Sequence, residues 1–139
     1  MNSDLTAGGL GQSLGLRHEA LGAERTVVSL EVGPAHLQAQ GIVHGGVYCT
    51  LVETAASIGA GLWWGARGRV VGAANQTDFL RPVQHGRLTA SAVPVHRGRS
   101  QQLWSVDVVD SEEHLVARGQ VRLANLPLPS AADTPPGGG

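Results

Sequence analysis

The hydrophobic pattern changes period twice along this chain. In Glu24–Val32, Thr26, Val28, Leu30 and Val32 alternate with Arg25, Ser29 and Glu31, the period of a strand with one wet face. Gly33-Pro34 stops it, and His36 to Gly41 form a loop. From about Gly45 to Trp64 the spacing lengthens, and Val47, Leu51, Ala55, Ile58 and Leu62 fall at helical intervals. A second stripe of that helix holds Gly46, Cys49, Thr50, Glu53, Ser57 and Ala60; it is small or polar and reads as a face that lines something. Gly59, Gly61 and Gly65 mark a weak helix end. Period two then returns in Arg69–Arg81 (closed by Pro82), Arg87–His96, Gln101–Asp110 and His114–Ala124. The links between these runs are short, which predicts an antiparallel meander. Pro94, inside one of them, predicts a bulge or a sheet edge. Residues 13–22 are weakly patterned, compatible with a short strand or a helical turn. The Gly-rich residues 1–12 and the Pro- and Gly-rich residues 126–139 are expected to be disordered tails, leaving one domain over 13–125. There is no internal repeat.

One long, apolar, small-residue helix followed by antiparallel strands has a natural packing solution. The expected fold class is α+β: a long central helix wrapped by a curved antiparallel sheet of five to six strands. The edges of such a sheet are open to pairing with a second copy.

Composition narrows the function. The chain has 139 residues, 42% of them hydrophobic, and a formal net charge of −1. That fits one core and gives no basic excess for nucleic acid or an anionic membrane surface. Lysine is absent, so every basic residue other than His is Arg. The single Cys49 excludes an internal disulfide and fits a reducing, cytoplasmic setting. No His or Cys cluster has metal-ligand spacing, and the N-terminus has no signal-peptide pattern. Residues 42–64 are long and apolar, but a span there would put Glu53 at mid-bilayer, so the segment reads as a core helix.

Between Val32 and Ala66 the only formal charge at neutral pH is Glu53. An unpaired carboxylate in such a helix is costly unless it is used, which makes Glu53 a working group; the alternative is an acid paired with a core Arg or His. At the helix start, the first backbone N–H groups lack intrahelical partners and sit at the positive end of the dipole. Gly45 and Gly46 allow a ligand oxygen close to that backbone, an oxyanion-type donor site for a carbonyl; the alternative is a tight loop-to-helix turn. Glu53 is eight residues beyond Gly45, about 12 Å along the axis. If both groups act on one carbonyl, they come from two copies whose helices lie antiparallel about a two-fold axis. Ser57, one turn after Glu53, either hydrogen-bonds its carboxylate or a water, or simply packs. His44 acts either as a base or, in its commoner role, by holding the turn. Gln38 is an amide donor to a carbonyl or a plain surface residue.

Gly41-Ile42-Val43-His44-Gly45-Gly46 with Glu53, followed by Asn75-Gln76-Thr77-Asp78-Phe79-Leu80-Arg81-Pro82, resembles the hotdog-fold acyl-CoA thioesterases. Within them it is most similar to the phenylacetate-pathway type and the Arthrobacter-type 4-hydroxybenzoyl-CoA thioesterase, from about His36 to Leu123. The resemblance implies that the Gly45 N–H polarises a thioester carbonyl and that Glu53 of the partner chain is nucleophile or general base. It places Ser57 beside the attacking water and Gln38 near the thioester. It implies no metal or prosthetic group, an acyl-CoA substrate with an aromatic or bulky acyl group, and a homotetramer built from two dimers. The loop His96-Arg97-Gly98-Arg99-Ser100 matches the segment that holds the CoA nucleotide, with Arg97 and Arg99 toward phosphates and Arg81 a further candidate; solvated arginines in a hairpin turn are the alternative. The chain departs from the Arthrobacter type in carrying Arg99 where that loop has hydroxyl residues, and in a C-terminal tail that is not basic. Rival readings are a hotdog hydratase or dehydratase, which would need a His and Asp pair for proton transfer, a non-catalytic acyl-CoA-binding protein, and a purely structural dimer.

Overall fold

Alternation over the second half of the chain closes into one sheet. The computed structural model describes residues 8–133. It contains α1 (Gly9–Ser13), β1 (Arg17–Ala20), β2 (Thr26–Glu31), α2 (Gly45–Trp64), β3 (Gly68–Phe79), β4 (Arg87–Arg97), β5 (Gln101–Val109) and β6 (Leu115–Pro127). The six strands form a single sheet in the order β1-β2-β4-β5-β6-β3, every pairing antiparallel. Inward residues of the central strands, among them Leu88, Ala90, Trp104, Val106, Val108, Val121 and Leu123, pack on Leu51, Val52, Ala55, Ala56 and Ile58 of α2. The expected α+β arrangement is present, with α2 over the predicted residues and six strands around it. Among the described residues no helix is long and apolar enough to cross a membrane.

Pro94 has the effect expected of a residue without an N–H: the β4–β5 pairing slips between Pro94 and His96. A second slip, between Gly72 and Ala74 of β3, is not visible in the hydrophobic pattern. Three expectations are corrected. The predicted N-terminal tail ends earlier, because Gly9–Ser13 form a helical turn; Arg17–Ala20 are the short strand allowed within residues 13–22, and His36 anchors the turn between the two. Its Nδ1 accepts from the Gly33 N–H at 2.9 Å, so the proton sits on Nε2, which donates to the Leu14 carbonyl at 2.7 Å. At the other end β6 continues through Leu126 and Pro127, which pair with Arg69 and Gly68, and residues 131–133 make a short 3-10 turn. Residues 1–7 and 134–139, the remainder of both expected tails, lie outside the described residues. Finally, the expected wet face of β2 is covered at its middle: Arg25 and Glu31 are exposed, but Ser29 is buried and donates to Glu19 of the neighbouring strand β1.

β3 occupies one edge of the sheet. It is twelve residues long, pairs with β6 alone among the described strands, and is exposed along most of its length. Val71 and Phe79 on it, and Leu80 just beyond, are exposed apolar side chains.

Candidate active site

The start of α2 is built by His44. Its backbone is extended (φ −64°, ψ 136°), and its Nδ1 accepts the Gly46 N–H at 2.8 Å while its carbonyl accepts from Val47. His44 therefore caps the helix, and the Gly46 N–H is spent in doing so. A Cβ at Gly46 would sit 2.9 Å from that Nδ1, so the cap requires glycine there. A Cβ at Gly45 would overlap the Phe79 ring, which lies across the helix start and is 5.7 Å from the Tyr48 ring. The Gly45 N–H has no acceptor among the described residues. It borders a cavity of about 310 Å³ that Gln38, Tyr48, Phe79 and Arg81 also line. Gln38 is held there by its own backbone, which pairs with Ile42 and Gly41, and its side-chain oxygen accepts the Gln40 N–H.

Glu53 lies two turns further along, half-buried, on the small-residue face of α2. Two cavities meet at its carboxylate. One, of about 700 Å³, lies between α2 and the segment from α1 to β1 and is also lined by Ser57, Thr54 and His18. The other, of about 430 Å³, is lined by Cys49, Thr50 and Asn75. Ser57 Oγ stands 3.4 Å from Glu53 Oε1, and Asn75 Nδ2 donates to Oε2 at 3.0 Å. No arginine or histidine forms an ion pair with Glu53 among the described residues. The carboxylate is held by neutral groups and faces open space.

The third cluster sits at the far end of α2. Arg97 does not point to solvent: it pairs with Glu24 at 2.9 and 3.3 Å, donates to the Ala23 carbonyl, and lies 5.2 Å over the Trp63 ring. Arg99 and Ser100 are exposed in the turn between β4 and β5. That turn is pinned by buried amides that the sequence reading missed. Gln102 Nε2 donates to the Ala60 carbonyl of α2 at 3.3 Å and to Asn125 Oδ1 at 2.8 Å, and accepts Trp104 Nε1–H at 2.8 Å through its oxygen. Asn125 Nδ2 donates on to the Gly98 and Arg99 carbonyls at 3.0 and 3.3 Å. Of the three tryptophans, Trp104 is core, Trp64 is buried, and Trp63 carries the Arg67 and Arg97 guanidinium groups.

Within one chain, then, Gln38, Gly45 and Arg81 come together, Glu53 and Ser57 come together, and Arg99 and Ser100 form a separate exposed group. An amide donor and a carboxylate that share no cavity can serve one carbonyl only across a subunit contact. No group of three or more candidate metal ligands occurs among the described residues.

Comparison with known proteins bears on the family and the fold. The model of the thioesterase superfamily matches residues 40–117. The crystal structure of S. sahachiroi AziG is 51% identical, covers 87% of this chain and 98% of its own, and superposes with a TM-score of 0.85. A thioesterase of Haemophilus influenzae is 30% identical over 92% of this chain and 90% of its own, with a TM-score of 0.86. The 1,4-dihydroxy-2-naphthoyl-CoA hydrolase of Listeria monocytogenes is 34% identical over 116 residues, which is 84% of this chain and 94% of the relative.

Proposed function

The chain belongs to the thioesterase superfamily, and on that premise we propose that it hydrolyses an aromatic or otherwise bulky acyl-CoA to the free acid and CoA, with Glu53 as the reacting acid and the Gly45 N–H as carbonyl donor. The observation that carries this reading is the Glu53 carboxylate, set in an apolar helix, unpaired with any cation among the described residues, and open to two cavities. The thioester carbonyl oxygen accepts from the Gly45 N–H, whose strength as a donor grows as negative charge develops on that oxygen. Glu53 then either attacks the carbonyl carbon, expelling the CoA thiolate and leaving an anhydride that water opens, or takes a proton from a water that attacks in its place. Ser57 orients that water. Label found in Glu53 after single turnover in isotopically labelled water identifies the first route, because only there can water add to the Glu53 carbonyl carbon.

The active form in this proposal is a dimer. The open edge of β3 pairs with that of a second copy, extending the sheet and laying the two α2 helices antiparallel. Each site then takes Glu53, Ser57 and Arg99 from one subunit and Gln38, Gly45 and Arg81 from the other; two such dimers form the tetramer. Arg99, Ser100 and Arg81 face the CoA phosphates, whereas Arg97 serves the fold through Glu24 and Trp63. The naphthoyl-CoA hydrolase among the relatives supports an aromatic acyl group. The test is thiol release from benzoyl-, phenylacetyl-, 1,4-dihydroxy-2-naphthoyl- and hexanoyl-CoA. The aromatic thioesters should turn over faster than hexanoyl-CoA, and Glu53→Gln should lower kcat by about a hundred- to ten-thousand-fold without loss of fold. Full activity in Glu53→Gln would end the assignment.

A further inference from the structure

β3 does more than close the sheet. In a regular strand, residues three apart point to opposite faces. Gly72 and Asn75 are three apart, yet both face α2. A Cβ at Gly72 would overlap Glu53 Oε1, and the Asn75 amide donates to Glu53 Oε2 at 3.0 Å. The slip in pairing with β6 explains this. Gly72 pairs with Leu123 and Ala74 with Arg122, so Ala73 is the extra residue of a bulge, and the faces are exchanged beyond it. Asn75 Nδ2 also reaches the Cys49 carbonyl at 3.2 Å, and its Oδ1 accepts the Thr77 hydroxyl proton at 2.7 Å. The Glu53 carboxylate and the Cys49 carbonyl only accept, so the NH2 end of the amide must face them; the Thr77 hydroxyl, which can donate, then holds the oxygen end in place.

We propose that this bulged stretch of β3 is the seat of Glu53, with Asn75 the positioning residue that holds one carboxylate oxygen and Thr77 the residue that locks the Asn75 amide. The inference rests on Glu53 being the reacting acid. Gly72 makes room for Oε1, Asn75 anchors Oε2, and the carboxylate loses its freedom to swing. Oε1, beside Ser57, is the oxygen left for chemistry. The donors are neutral, so the acid is oriented without being neutralised by a counter-charge; the other titratable side chains lining its two cavities are His18 of β1 and Cys49 of α2.

The test uses the full chain and the thioester on which the wild type is most active. Asn75→Asp keeps the shape but exchanges the donor for a repelling oxygen; Thr77→Val keeps the shape but removes the lock, and Thr77→Ser restores it. Asn75→Asp should lose about tenfold or more in kcat, since misplacing a reacting group by an ångström has effects of that size or larger, with KM little changed. Thr77→Val should fall in the same direction and Thr77→Ser return toward wild type. Sedimentation of each variant reports whether the dimer persists. Wild-type kcat in Asn75→Asp overturns the proposal, as does a rise in KM alone or a loss of activity that follows loss of the dimer. An inactive wild type, or an active Glu53→Gln, instead overturns the functional reading beneath it.

Discussion

The proposed sharing of each site between two chains predicts a specific fractional activity. Two lesions are needed, one in each half-site. Glu53→Gln removes the reacting acid and keeps its volume. The donor is removed by Gly45→Pro, since proline has no N–H and is tolerated in the first turn of a helix. The Phe79 ring would collide with any side chain at position 45, so the second chain carries Gly45→Pro with Phe79→Ala, and Phe79→Ala alone is its control. Each chain by itself forms dimers with two dead sites. When the two chains are mixed after denaturation and refolded together, half the dimers are mixed. In a mixed dimer one site receives both lesions, and the other receives intact Glu53 and intact Gly45. One live site in half of the dimers restores about one quarter of the control activity. The assay is thiol release, with the refolded dimer fraction measured by sedimentation. If Glu53 and Gly45 served the same carbonyl within one chain, mixing would restore nothing. Activity at the level of the two inactive parents would refute the shared site.

Two further outcomes follow from side chains around it. Tyr48 is the single tyrosine of a chain without lysine; burial, with a smaller contribution from Asp110, pushes its hydroxyl from 10.0 up to about 12. The folded protein thus keeps a proton that the unfolded chain releases, so stability is full below pH 10 and falls as the pH rises toward 12; tyrosinate absorbance in a pH titration should show the raised midpoint, and Tyr48→Phe should flatten the alkaline loss seen by urea unfolding. In the turn between β4 and β5, Arg99→Ala should raise KM for acyl-CoA far more than it lowers kcat, whereas Arg97→Ala should leave KM alone and cost about 0.5–1 kcal/mol in thermal unfolding, the worth of its Glu24 pair and Trp63 contact.

Much of this was legible in sequence because it is periodic or local. The helix over Gly45–Trp64 showed itself by the spacing of Val47, Leu51, Ala55 and Ile58, and the bulge at Pro94 by a missing N–H. Glu53 stood out as a lone charge in an apolar window. What was not legible depends on pairs distant in sequence. Gln102 and Asn125 are ordinary polar residues until the fold buries them against Ala60 and the turn at Gly98. Ser29 looked wet because its cover, Glu19, comes from a four-residue strand with little pattern of its own. The β3 bulge at Ala73 has no proline or turn residue to announce it, and it alone brings Asn75 to Glu53.

The ion pairs show why that neutral seat matters. Glu19, Glu24, Glu31, Asp107 and Asp110 each meet an arginine or histidine, all away from the cavities at Glu53. A guanidinium at Glu53 would have stabilised a half-buried acid more strongly than an amide does, but it would also hold the electron pair the acid needs for attack or proton abstraction. An apolar residue would have packed better and done no chemistry. Asn75 and Ser57 do the intermediate thing: they orient the carboxylate with dipoles, leave its charge unneutralised, and leave Oε1 over Gly72 with only the Ser57 hydroxyl beside it. Such a choice has a structural reason only if the carboxylate has something to meet there, and in the proposed dimer what it meets is a carbonyl held by the Gly45 N–H of the second copy.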